Sequence, residues 1–145
     1  MMNDKQRQNI RKYGTLLGRI FVGALFAISG ISKILALDGT AGYIASVGLP
    51  LPEVLAVLAG IVEIVAGVML IVGWRIGLAA GALVIFTGLA TISFHGPSTW
   101  SDPTQQIMFY KNFAIIGGLL YMMAYGKGEG WSVGKRQVQA PMPEA

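Results

Sequence analysis

Four stretches of this chain, running from about Leu16 to Leu37, Val54 to Gly73, Ile76 to Phe94 and Ile107 to Tyr125, are each apolar over close to the length that a helix needs to cross a bilayer. About 20 residues, rising roughly 1.5 Å each, cover a hydrocarbon core of about 30 Å. Inside that core each backbone N–H and C=O must be satisfied by the protein itself, and a continuous apolar run does this as a helix. The expected fold class is therefore an all-α membrane protein, a bundle of four transmembrane helices. With 54% of its 145 residues hydrophobic and 12% charged, the chain has the wrong balance for a soluble domain of this length.

One domain is expected, over residues 16–125, between a basic segment at 1–15 and a polar tail at 126–145 that ends in the disorder-prone QVQAPMPEA. The stretch GTAGYIASVGLPLP reads as a turn-rich connection in which Pro50 and Pro52 stop any continuous helix, and HGPSTWSDPTQQ reads as a surface loop. A secretory signal is disfavoured, because the first apolar run is longer than a signal core and carries Arg19. Outside the spans, Lys5, Arg7, Arg11, Lys12, Arg75, Lys127, Lys135 and Arg136 all fall on one side and no Lys or Arg falls on the other. That asymmetry predicts cytoplasmic termini, with the Tyr43 and Trp100 loops outside. It also accounts for the net charge of +4 without nucleic acid.

No cysteine is present, which excludes disulfides, thiol catalysis, iron–sulfur clusters and thiolate metal sites. A single histidine excludes a zinc or haem centre built from several imidazoles within the chain. No metal site and no intrinsic cofactor are expected.

Residues 3, 4, 7 or 11 apart share a helix face. One such stripe in the first span holds Arg19, Gly23, Phe26, Gly30 and Lys33, and one in the second holds Ala56, Gly60, Glu63, Gly67 and Leu70. The third span offers Gly77, Gly81, Val84, Gly88, Thr91 and His95, and the fourth Lys111, Ala114, Gly118, Tyr121 and Tyr125. Small residues let helix backbones approach closely in a bilayer, so Gly23, Gly30, Gly60, Gly67, Gly77, Gly81, Gly88 and Gly118 are the expected packing positions. A charge at the bilayer centre costs about 2.5 to 3.5 kcal/mol on insertion scales, so Glu63, near the middle of its span, is expected to be paired or protonated. The first expected partner is Arg19, with Lys33, His95 and Lys111 forming a group that opens outward. Lys33 and Lys111 can alternatively snorkel to headgroups, Arg19 can meet inner-leaflet phosphates, His95 can be a loop-facing interfacial residue, and Glu63 can serve a purely structural ion pair.

These residues also carry a resemblance. The run GRIFVGALFAISGISKILALDGTAGYIASVGLPLP, then AGIVEIVAGVMLIVGW, FHG and FYKNFAIIGGLL, resembles the DoxX family of small four-helix membrane proteins, particularly its bacterial inner-membrane branch, over about Leu16 to Tyr125. By that resemblance Arg19, Gly30, Lys33, Glu63, His95, Lys111 and Asn112 correspond to characteristic positions. Some members of the family are similar to subunits of thiosulfate:quinone oxidoreductase or terminal quinol oxidase.

The resemblance thus implies a multi-pass protein of the bacterial inner membrane, acting as an accessory or quinone-interacting component of respiratory or redox chemistry. Any redox role would need a bound quinone or a partner subunit, since no cysteine, histidine pair or nucleotide-binding loop supplies a centre. Expected ligand-binding residues are Arg19, Lys33, Glu63, His95, Lys111 and Asn112, with Glu63 and His95 as the candidates for catalysis. Expected partners are the lipid bilayer, respiratory or oxidoreductase subunits and a second copy of the chain. Two other readings remain open at this point: a small transporter or anion-permeation protein, and a nonenzymatic assembly partner.

Overall fold

The structure is a computed structural model that describes residues 2–133; the end of the tail expected to be disordered lies outside the described residues. Among those described are five α-helices, one turn of 3-10 helix (Pro97–Thr99) and no strand. The helices are α1 (Asp4–Leu35), α2 (Leu37–Ser46), α3 (Pro52–Val72), α4 (Ile76–His95) and α5 (Pro103–Tyr125). Of these, α1, α3, α4 and α5 are long and apolar enough to cross a membrane. Four crossings return the chain to the side on which it began.

Local chemistry sets the ends. Asn3 caps α1 by accepting from the Gln6 N–H while the Gln6 side chain accepts from the Asn3 N–H, a reciprocal box that satisfies two otherwise orphaned donors. The helix therefore starts well before the apolar run, and its roughly 48 Å length exceeds a 30 Å core, so the basic first turns project from the bilayer. Gly73, at φ 75°, closes α3 in the left-handed conformation, and the Trp74 N–H returns to the Met69 carbonyl at 2.9 Å. Asp102 caps α5 by accepting from the Thr104 N–H at 2.8 Å, with Pro103 in the first turn.

The GTAGYIASVGLPLP stretch is not simply a turn: α2 occupies most of it. Leu37, Ala41 and Ile44 recur at helical spacing, and Ala41 and Ile44 are buried with Ala56 of α3, with Leu37 and Phe94 packed beside them. Glycines at 39 and 42 read as turn signals, but the apolar stripe and its burial outweigh their helix penalty of about 1 kcal/mol each. The helix ends before Gly48, and the prolines come later.

Packing is uneven. The closest and most extensive interface joins α1 to α3, α4 and α5 make a second pair, and α3 meets α4 less extensively. A hydrophobic core of Phe26, Ala66, Leu70, Ile76, Ala79, Ala80, Leu83 and Leu119 fills the half near the termini. A smaller one, around Ala41, Ile44 and Ala56, lies under α2. Along α3, Gly60 and Glu63 fall between the two cores. Along α4, Thr87 and Thr91 do so; along α1, Ser29, Gly30 and Lys33 follow the last residue of the larger core; along α5, Asn112 precedes it. The polar residues thus form a layer sandwiched between two apolar ones.

Candidate functional site

The α1/α3 interface is built on glycine. A Cβ placed on Gly23 would lie 2.5 Å from the Gly67 carbonyl oxygen, and one on Gly30 would lie 2.6 Å from that of Gly60. Such contacts exist only where two backbones touch. Every member of the expected stripes on these two helices is buried except Lys33, which is half-buried.

That approach brings a lysine, a serine and a glutamate together. Lys33 Nζ lies 2.7 Å from Glu63 Oε2 in an ion pair and donates to Ser29 Oγ at 2.7 Å, while the Ser29 hydroxyl donates to Glu63 Oε1 at 3.1 Å. Ser29 and Lys33 are four residues apart, one above the other on α1. The Glu63 side chain is 4% exposed and that of Lys33 30%. The carboxylate is thus sealed within the protein while the ammonium reaches its edge.

The expected Glu63–Arg19 pair does not form. Arg19 is 1% exposed and donates through Nη2 to the Trp131 carbonyl, beside Gly73 at the end of α3. Ten residues of helix, about 15 Å, separate that end from Glu63. Lys33, one turn beyond Gly30, is the basic residue whose stem reaches the carboxylate.

Nor do Lys33, His95 and Lys111 gather into one group. Lys111 is exposed, its Nζ 2.9 Å from Met108 Sδ on its own helix. His95 Nδ1 is paired with Gln105 Oε1 at 2.6 Å, and its carbonyl accepts from Trp100 Nε1 at 3.1 Å. Together they tie the α4–α5 connection. Asn112 is turned inward: its Nδ2 donates to Thr91 Oγ1 at 2.9 Å, and that hydroxyl donates to the Thr87 carbonyl at 2.6 Å. The Thr87 hydroxyl is buried without a partner.

On α4 and α5 the glycine-bearing stripes are not the packing faces. Gly77, Gly88 and Gly118 have open space where a Cβ would stand, and Gly81 meets only Met123 Sδ at 3.5 Å. α4 packs instead through Ile76, Ala79, Ala80, Leu83, Thr87 and Thr91, and α5 buries only Leu119, flanked by half-buried Asn112, Ile115 and Met122. Alanine and threonine are small enough to serve: Ala80 and Thr87 lie one position before Gly81 and Gly88, and Thr91 is the one buried member of the expected stripe. Reading the residues alone missed Ser29, Thr87 and Gln105. The four-residue spacing of Ser29 from Lys33 was the available signal for the first.

Among the described residues no group of three or more His, Cys, Asp or Glu side chains is placed to hold a metal ion.

Comparison with known proteins decides the family. The family model described as DoxX matches residues 14–96, more than half of the chain. The chain belongs to the DoxX family. It is 33% identical over 116 residues to "Inner membrane protein YphA" of Escherichia coli (strain K12), covering 78% of this chain and 83% of that protein. It is 30% identical over 124 residues to "Inner membrane protein YqjF" of the same strain, covering 83% and 90%. A third relative, "Putative oxidoreductase CatD" of Bacillus subtilis (strain 168), is 31% identical over 86 residues, which is 58% of this chain and 63% of CatD. No solved structure matches the chain. With four apolar crossings and inner-membrane relatives across most of its length, this DoxX-family chain is a multi-pass inner-membrane protein.

Proposed function

We propose that this DoxX-family protein is an accessory, quinone-interacting component of membrane redox chemistry, with its termini on the cytoplasmic side and the Lys33–Glu63 pair as the ligand site. The observation that carries this reading is the pair's asymmetry: the carboxylate is sealed and the ammonium is accessible. An ammonium has three N–H donors. Lys33 directs one to Glu63 and one to Ser29, which leaves one for a ligand oxygen at the protein's edge.

The donor set suits a quinone. Its carbonyl oxygens are acceptors, its ring is apolar, and the layer offers a cationic donor between two apolar cores. A bound quinone would supply the redox chemistry that the side chains here do not supply. Lys33 holds the ligand oxygen, Glu63 takes or holds a proton beside it, and Ser29 fixes the carboxylate's orientation through Oε1. The oxidoreductase named among the relatives supports a redox setting.

The test is a gentle purification of the full chain in nanodiscs formed from native membrane, followed by chemical identification of bound small molecules. Quinone retained by the wild type and lost from Lys33→Met supports the proposal. A folded wild type that retains none, and takes none up when it is supplied, sinks it.

A further inference from the structure

Arg19 is among the largest fully buried side chains, yet among the described residues it has no carboxylate partner. Among the described residues its Nε and Nη1 are buried without a hydrogen-bond acceptor, and its one bond goes from Nη2 to the backbone carbonyl of Trp131. A buried cation answered by a single carbonyl is costly, and removing a charge from water is ordinarily compensated by an opposite charge.

The covering segment is a glycine-rich strap over residues 12–19 of α1. Gly128, at φ 66°, lies against Thr15; a Cβ on Gly130 would stand 2.8 Å from the Lys12 carbonyl oxygen and 3.0 Å from Leu16 Cβ. The Val133 N–H donates to the Val72 carbonyl at 2.8 Å, which pins the strap to the end of α3. Between the strap and Lys12 is a cavity of about 390 Å³ that Arg19 does not line; the guanidinium lies behind Trp131, whose carbonyl it holds. Lys12 and Arg19 are seven residues apart and share a face of α1. The acid at the cavity, Glu129, is paired with Arg11 at 3.8 Å.

We propose that Arg19 is the floor of a binding site for a phosphate-type anion, with Lys12 at its mouth and the Trp131 carbonyl as an internal stand-in for the ligand. The anion displaces the strap and accepts from the guanidinium nitrogens, which form a planar fork suited to phosphate oxygens. This site is at the opposite end of the bundle from the Lys33–Glu63 pair and does not depend on the reading given to that pair. A phosphodiester of an anionic lipid headgroup and a free phosphate share the chemistry.

The experiment uses the full chain in phosphatidylcholine nanodiscs, titrated either with phosphatidylglycerol in the lipid or with inorganic phosphate in solution, and reads the midpoint of the rise in melting temperature. Wild type responds to at least one probe. Response to phosphatidylglycerol alone identifies a lipid headgroup, and response to inorganic phosphate identifies a free anion. Gly130→Ala, which lifts the strap, lowers the midpoint about threefold or more, and Arg19→Gln raises it about tenfold or more. Where Arg19→Gln fails to fold, Gly130→Ala decides alone. No response to either probe in wild type and Gly130→Ala overturns the proposal, as does an unchanged midpoint in Gly130→Ala or a wild-type response in folded Arg19→Gln.

Discussion

Lys33 Nζ sits 2.7 Å from Glu63 Oε2, one helical turn beyond the point where Gly30 lies against Gly60. The two contacts are linked. A lysine stem on α1 reaches a carboxylate sealed inside the bundle because the two backbones touch, and they touch because the residues between them lack side chains.

Gly30→Ala and Gly67→Ala should therefore destabilise the protein by about 1 to 3 kcal/mol each, because a Cβ at either position meets backbone that cannot swing aside. Gly88→Ala, with open space around it, should be neutral or stabilising by up to about 1 kcal/mol. Denaturation in mild detergent, followed by far-UV circular dichroism, checks the contrast.

Removing one member of the ion pair should cost more than removing both. Lys33→Met leaves Glu63 buried without its cation and is expected to destabilise by about 3 kcal/mol, at the low end for buried pairs because the lysine is partly exposed. The double variant Lys33→Met with Glu63→Gln should recover part of that loss. A double-mutant cycle on the same unfolding transition measures the coupling.

Neighbouring residues on α5 should behave in opposite ways. Asn112→Leu removes the donor that reaches Thr91 across the α4/α5 interface and should cost about 1 kcal/mol, whereas Lys111→Ala, on the exposed face, should stay within about 0.5 kcal/mol. Equal effects in the unfolding assay would mean that α5 is rotated from the orientation described.

Acid should loosen the start of α5. The Thr104 N–H, then the Thr104 hydroxyl, hold the Asp102 carboxyl below the usual carboxylate range. A group whose folded value is depressed stabilises above its unfolded value and loses that contribution as pH falls through the folded one. Amide exchange at Thr104 and Gln105 should speed up, relative to its intrinsic rate, as pH falls through that point. In Asp102→Ala the same amides should already exchange fast near neutrality.

The four crossings were legible in the sequence because apolar length is a direct physical requirement of the bilayer. The packing faces of α1 and α3 were legible too, since Gly23, Gly30 and Lys33, and Gly60, Glu63 and Gly67, put small and charged residues on one stripe. The glycine signal misled on α4, where Ala79, Ala80 and Thr87 pack through the adjacent face and only Thr91 of the expected stripe is buried. It misled on α5, where a helix that buries only Leu119 needs no small residues. α2 was hidden by its glycines and the prolines that follow it. The bond from Arg19 to Trp131 had no signature, because its acceptor is a backbone carbonyl that any residue supplies.

The most direct measurement for the Lys33–Glu63 site is a ubiquinone or menaquinone titration of the full chain in nanodiscs, comparing wild type, Lys33→Met, Glu63→Gln and Lys111→Ala after circular dichroism has shown each to be folded. The expected result is saturable binding that weakens about tenfold or more in Lys33→Met, changes in Glu63→Gln and is unaltered in Lys111→Ala. Binding of equal strength in all four, or none in the wild type, would contradict the assignment.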